Sequence, residues 1–307
     1  MLIEHLIEPE ALVELAKSRR NCKDFEKEFS KPSPRVVSDF PKFKNLRRRT
    51  FGAQASDVSE HERMRLEELI RFIGEHSRVK RATEFNGNLT IQENFKLAEG
   101  CGFEGFCLLQ NKVDGDELES TTIDVAQFED GIESLEHQAT MAKVKEQIAE
   151  TLGSLLRLSE DITIVEPYFD LRPGMWDSFI ELLCSGASYS ATGPKALKLL
   201  YDADKTRGRK PQDLADKLVS DNPECLEAYR EIKFCHFKEK EKQAGAIHNR
   251  FIITELAAVS IPHGLEATNE SETDDVTLLT TSIYDSRYSQ YSLLNGYDLV
   301  DEAVVDN

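Results

Sequence analysis

The sequence has no apolar run approaching the roughly 20 residues that a membrane-crossing helix needs. Its start, Met-Leu-Ile-Glu-His, lacks the basic region and long apolar stretch of a signal peptide. Together these absences predict a cytoplasmic protein without a membrane partner. No Cys-x2-Cys pair occurs. The six cysteines, Cys22, Cys101, Cys107, Cys184, Cys225 and Cys235, are scattered without zinc-site spacing. They are expected to be reduced, small core residues. The Gly100-Cys-Gly102 stretch lacks the third glycine and the following helix of a dinucleotide loop. No acidic cluster has clear metal-ligand spacing and no internal repeat is found, so no metal and no cofactor are implied. Positive charge is scarce overall. Thirty-eight Lys and Arg face 56 Asp and Glu, a formal net charge of −18. That balance opposes free-standing nucleic-acid binding, which draws affinity from cations on phosphates.

What basic charge there is collects in one place. Residues 17–50 hold twelve Lys and Arg against four acids. Within them, Arg47, Arg48 and Arg49 are consecutive, readable as a phosphate-contacting run or as a solvated face. Residues 112–150 and the stretch after Glu266 are strongly acidic. An acidic body with a basic arm is a partner signal that does not specify the partner. The 307 residues, 40% hydrophobic and 31% charged, are enough for one large or two modest domains.

Along the chain, the pattern predicts a helix over 2–20 with Pro9 near its start, and another over 58–76. Ser59 and Glu62 form a capping box for the latter, and Met64, Leu66, Leu69, Ile70 and Ile73 are its expected buried stripe. Strands are expected over 81–85, 89–91, 103–109 and 121–125. A long helix over 132–158 leads into a strand at 162–165. Then come a helix at 175–185, a short strand at 187–191, and helices at 194–203, 211–220 and 223–229. The strand–helix–strand run from 162 reads as a βαβ unit with a parallel pair. Ligands in such sheets bind at the carboxyl ends of strands. Glu166, Tyr168 and Asp170 occupy such an end and are candidate substrate-binding residues, with Lys205 and Arg207 in a basic loop. A strand at 231–237, carrying His236 as a packed or edge histidine, is expected to form a long antiparallel hairpin with 246–255. Strands at 259–261 and 276–280, a closing helix at 285–294 and an acidic tail complete the reading.

Residues 246–255 carry the chemistry. Side chains alternate along a strand, so His248 and Arg250 share a face. Imidazole can act as nucleophile or acid on a phosphate, and guanidinium can neutralise charge building on phosphoryl oxygens. Glu255, at the strand end, is the candidate orienting acid. The pattern is His-x-Arg-x4-Glu. With the upstream Asp161-Ile-Thr-Ile-Val-Glu-Pro-Tyr-Phe-Asp170, it resembles a relaxed form of the His-x-Lys-x4-Asp motif of the phospholipase D superfamily, over roughly residues 100–295. The resemblance is to phospholipase-D-like proteins of bacterial defence and mobile-element operons. It implies an α/β fold, a mixed sheet flanked by helices, at 80–307, behind a helical N-terminal region with a basic arm at 1–79. It further implies metal-independent phosphodiesterase chemistry, most plausibly a nuclease. His248, Arg250 and Glu255 would then be catalytic, and a second histidine would come from a partner subunit. Arg for Lys and Glu for Asp depart from the motif, and only one copy is present. The alternative is a non-catalytic subunit of a defence complex that binds nucleic acid or protein. A lipid phosphodiesterase ranks last, because no basic amphipathic segment is seen.

Overall fold

In a computed structural model, described for residues 1–111, 122–130, 135–187, 193–206, 210–239, 249–295 and 297–306, the chain gathers into two compact units. One spans Leu2–Glu136; the other spans His137–Asn307 together with Met1. Residue 79, the boundary expected from the sequence, lies inside the first unit. No helix of the described residues is long and apolar enough to cross a membrane.

The first unit is a parallel sheet between helices. Its strands are β1 (Ile3–Ile7), β2 (Arg35–Val37), β3 (Phe106–Leu109) and β4 (Thr122–Asp124), in the order β2-β1-β3-β4. Its helices are α1 (Pro9–Lys17), α2 (Arg19–Phe29), α3 (Phe43–Ala53), α4 (Glu60–Glu75), α5 (Ile91–Glu99) and α6 (Ala126–Asp130). Alternation along the strands divides the core. Ile7 and Leu108 join the cluster containing Leu12, Phe25 and Leu69, while Leu6, Cys107 and Leu109 join Phe95 and Phe103. The expected capping box at Ser59 and Glu62 is present at the start of α4. Leu66, Leu69, Ile70 and Ile73 are buried as the spacing predicts, but Met64 is exposed.

Two corrections concern this unit. Residues 3–7 of the expected first helix are the central strand, and the helix begins only at Pro9, whose missing N–H suits a first helical position. The expected strands at 81–85 and 89–91 do not form. Thr90 instead caps α5 in a second capping box with Glu93.

Polar residues on β1 are buried because each meets a dedicated partner. Glu4 takes a bidentate pair of bonds from Arg81, Nε to Oε1 at 2.8 Å and Nη2 to Oε2 at 2.7 Å. His5 lies 3.0 Å from Arg35 Nη1 through Nε2 and 3.1 Å from the Ile3 carbonyl through Nδ1. Arginine only donates and a carbonyl only accepts, so the imidazole is the neutral tautomer carrying its proton on Nδ1. Burial, and then the Arg35 charge, push its pKa down to about 3 from the usual 6.5. The unfolded chain therefore binds a proton that the folded one refuses. This contribution to stability is complete above pH 6.5 and is lost as pH falls toward 3, by about 1.4 kcal/mol per unit at the steepest. His5→Gln, which keeps an acceptor for Arg35, is expected to flatten the loss between pH 7 and 5. Amide exchange of the β1 residues in urea measures it. An unchanged pH slope in the variant would assign the acid sensitivity to another group.

The second unit is an eight-stranded mixed sheet with helices on its faces. Its strands are β5 (Gln138–Ala142), β6 (Asp161–Val165), β7 (Lys195–Asp202), β8 (Tyr229–Glu239), β9 (Phe251–Thr254), β10 (Ala258–Ser260), β11 (Thr273–Leu278) and β12 (Tyr297–Asp306). They lie in the order β12-β8-β7-β6-β9-β10-β11-β5. The helices are α7 (Lys145–Leu158), α8 (Pro173–Ala187), α9 (Pro211–Asp221) and α10 (Thr281–Arg287), the last continued by a π-helical turn, Tyr288–Ser292. A βαβ unit with a parallel pair is present, but its second strand is β7 and not the one expected at 187–191: β6, α8 and β7 form it, and β6 and β7 are parallel. On one face of the sheet, Val165, Leu200, Cys235, Phe237, Phe251 and Ile253 pack under Tyr284 and Tyr291.

Several expected elements change type here. The helix predicted over 132–158 contains β5 before α7 starts at Lys145, and residues 131–134 lie outside the described ones. The helix predicted over 194–203 is β7, whose side chains are covered by neighbours on both sides, so packing overrides the helical propensity of Leu, Lys and Ala. The strand expected at 187–191 begins on the last residue of α8, and 188–191 lie outside the described residues. Strand β9 does not form a hairpin with β8; it pairs antiparallel with β6 and β10. The acidic tail is β12, paired antiparallel along β8. Cys184 and Cys225 are joined by a disulfide, their Cα atoms 5.1 Å apart, where reduced thiols were expected. The α8 end and the Pro223–Leu226 turn bring together residues 41 apart in sequence, a pairing that no motif announces.

Candidate functional site

The carboxyl end of β6 collects the polar side chains that the sequence singles out. Strand β6 is buried along Ile162–Val165, and its direction is continued by the Glu166 N–H bond to the Leu200 carbonyl, at 3.0 Å. The chain then turns. Phe169 goes inward against Trp176, Phe179 and Tyr201, which anchors the loop. Glu166 is 1% exposed. Its carboxylate accepts from Arg250 Nε at 3.1 Å, from the Leu265 N–H at 3.2 Å and from the Tyr168 N–H at 3.4 Å. Burial raises its pKa above the usual carboxylate value, against the opposing pull of the Arg250 charge and these bonds.

Arg250 immediately precedes β9 and faces Glu166 because β9 runs antiparallel to β6, with Phe251 opposite Val165. Its Nη1 donates to the Pro262 carbonyl at 2.8 Å, and its guanidinium lies 5.1 Å from the centre of the Tyr168 ring. Lys205 Nζ lies 4.5 Å from the same ring and 3.8 Å from Asp202. Tyr168 thus carries two cations on its π-system, an arrangement worth about 0.5–1 kcal/mol each at partly exposed sites. Asp170 is held by Arg172, which also binds Glu266 at 2.8 Å. Glu166, Tyr168, Lys205 and Arg250 are therefore brought together, with Asp170 at the start of the adjoining ion-pair network.

Glu255 is elsewhere. Its two oxygens accept from the N–H groups of Glu160 and Asp161, at 2.8 and 3.1 Å, at the amino end of β6. Arg250 and Glu255 flank β9 at opposite ends, about 16 Å apart along an extended chain. The carboxylate caps the turn before β6, at the end of β9 away from Arg250; the imidazole it was expected to orient, His248, lies outside the described residues. Burial raises its pKa despite the two amides. His248 and Arg207 lie outside the described residues. Arg47, Arg48 and Arg49 belong to α3 of the first unit, where Arg47 and Arg49 sit over Phe51 and Phe85. His236 is packed, as expected, against Tyr201 and within 3.0 Å of Thr206 Oγ1.

The loop after β10 is the part that sequence reasoning missed. Read there as a plain turn, Pro262-His263-Gly264 supplies the carbonyl for Arg250 and the close approach for Glu166. Gly264 has φ +73°, a left-handed conformation that side chains disfavour. His263 is fixed by a buried carboxylate: Asp274 accepts from its ring Nδ1 at 3.0 Å and from its backbone N–H at 2.8 Å. Lys143 Nζ holds its carbonyl at 3.1 Å. The Pro-His-Gly triplet was the only signal, and it does not reveal which residues face it. Among the described residues, no group of three His, Cys, Asp or Glu side chains is placed to hold a metal ion.

No family model matches the sequence, and no curated protein matches it. One solved structure that does match is described as "Structure of TrmBL2, an archaeal chromatin protein, shows a novel mode of DNA binding". The alignment covers 92% of this chain and 97% of that one, at 10% identity and a TM-score of 0.28, a likeness too slight to carry an argument.

Proposed function

We propose that the second unit binds the phosphodiester backbone of nucleic acid at the carboxyl end of β6 without cleaving it. It would act as a binding subunit on a phospholipase-D-like scaffold. One observation carries this reading. The arginine and the carboxylate of the relaxed motif are committed to opposite ends of β9, each holding its own stretch of chain. A phosphodiesterase of the kind the resemblance implies needs them converging on one imidazole. What remains at the β6 end is a recognition surface. Arg250 Nη2 bonds to no described residue, and Lys205 stands beside it over the same Tyr168 ring, so two cations are gathered at one strand end.

The test is anisotropy of labelled single- and double-stranded DNA and RNA, titrated at several salt concentrations and with EDTA present. Lys205→Gln and Arg250→Gln are expected to weaken binding similarly across sequences, and each to lower the salt slope by about 1. The same samples, run on a gel, are expected to show intact strands. Cleavage in EDTA that disappears in His248→Ala would replace this reading with a metal-independent nuclease. Unaltered binding in both cation variants would remove the site from nucleic-acid recognition.

A further inference from the structure

We infer that the first unit holds a separate site for a phosphorylated ribonucleoside, in the cleft between Glu8, Arg49 and the start of α5. The topology locates it. From β1 the chain goes to β2 on one side, while β3 lies on the other. The connections therefore diverge at the carboxyl end of β1, leaving a crevice there, and ligands of open parallel sheets occupy that crevice. Glu8 stands in it. Its N–H donates to the Leu108 carbonyl at 2.9 Å, and its Oε2 accepts from the Gln110 N–H at 2.7 Å. The carboxylate is thereby fixed across the ends of β1 and β3, and its Oε1 makes no hydrogen bond among the described residues.

A cleft of about 500 Å³ opens beside it, large enough for a mononucleotide. Arg49 lines the same cleft, together with the acidic side chain of Glu10. In a chain with a net charge of −18, this half-buried guanidinium makes no ion pair among the described residues. It is held instead by the Phe85 ring, 4.8 Å away, and by the Gly87 carbonyl, 3.3 Å from Nη2. A planar cation, positioned but unneutralised, is suited to a phosphate. Pro9, Leu89 and Ile91 supply the apolar surface that a base needs. A carboxylate at a strand end is the group that accepts from ribose hydroxyls. The three elements of a ribonucleotide, phosphate, sugar diol and base, thus each have a counterpart. The site lies in the unit that the binding reading above does not use, and it stands or falls independently of that reading.

Calorimetric titration of the full chain with the four ribonucleoside 5′-monophosphates tests the inference. The parent nucleosides and the 2′-deoxy compounds are run beside them. Saturable binding of at least one ribonucleotide is expected, with the nucleoside about 10-fold or more weaker. Arg49→Gln is expected to remove the preference for the phosphate, and Glu8→Gln the preference for ribose over deoxyribose. Arg48→Gln, the same charge change at an exposed neighbour, is expected to leave binding in place. Melting curves establish that each variant is folded, and Glu8→Asp replaces Glu8→Gln if that variant is not. Oligoribonucleotides with and without a 5′-phosphate separate a free nucleotide from an RNA end as the source. No saturation below about 1 mM with any compound, affinities unmoved by both site variants, or equal losses in all three variants would each overturn the site.

Discussion

Gly264→Ala is expected to destabilise the second unit by about 2–4 kcal/mol, the range of overpacking and backbone strain combined. Two costs add. The residue sits at φ +73°, where a side chain is strained whatever the space around it. A Cβ there would also overlap Glu166 Oε2 and come within 2.5 Å of Arg250 Cδ. Neither neighbour can move freely. Glu166 is buried and held by three donors, and Arg250 is held by both Glu166 and the Pro262 carbonyl. Displacing the carboxylate would leave a buried charge short of partners, which is why the effect should exceed that of an ordinary turn glycine. The measurement is convenient, because the chain has one tryptophan. Trp176 is buried in this unit, so its fluorescence in urea reports that unit. The same variant is expected to lose nucleic-acid binding, since the Tyr168–Arg250 arrangement depends on this ion pair. A midpoint equal to wild type would mean that the loop relaxes without cost.

Arg81→Met is the second large effect, expected in the first unit at about 3–5 kcal/mol, typical of breaking a buried pair by removing one member. The side chains of Arg81 and Glu4 are 0% and 2% exposed, and their bonds are bidentate. Removing the guanidinium strands a carboxylate on the central strand, and removes the cation stacked 4.9 Å from the Phe103 ring. Pairing Arg81→Met with Glu4→Leu should recover a good part of the loss, because two apolar side chains need no partner. The first unit contains no tryptophan and no tyrosine, so exchange of the β1 amides, read by mass spectrometry, is the appropriate probe. A double variant no more stable than Arg81→Met would show that the cost lies in lost packing rather than in the orphaned charge.

The sequence was most legible where local chemistry decides the outcome. Ser59 and Glu62 marked the start of α4, and the apolar run of 162–165 with its following loop marked β6 and a strand end rich in polar groups. Glu166 and Tyr168 follow from that strand-end logic; Lys205, from a basic loop, and Arg250, from the His-x-Arg pattern, are found beside them. It was least legible where distant partners decide. Nothing in Ile3-Glu4-His5 states that Arg35 and Arg81 will satisfy its polar groups, so a buried central strand read as part of a helix. Nothing in 194–203 states that β6 and β8 will enclose it. Glu255 was assigned by spacing from His248, but spacing along a strand cannot say which end of the neighbouring strand a carboxylate will hold. The capping box at Thr90 and Glu93 is a different case. Its signal was present and was outweighed by the β-branched residues around it.

The edges of the second sheet have a kinetic meaning. Strand β5 is the first strand of its unit in the chain, yet it pairs with β11, and the Thr140–Asp275 bond across that pair joins residues 135 apart. Closing so long a loop costs entropy before any contact compensates it, and contacts of this separation slow folding. During synthesis, β5 must therefore wait unpaired while the βαβ segments from β6 to β8 can already assemble from neighbours. A strand waiting in that way is exposed to wrong partners, and the alternation of Thr140 and exposed Gln138 with buried Met141 keeps one of its faces polar meanwhile. The site loop after β10 lies on the same late-closing side of the sheet. The recognition surface at the end of β6 would thus be among the last parts of the unit to become competent.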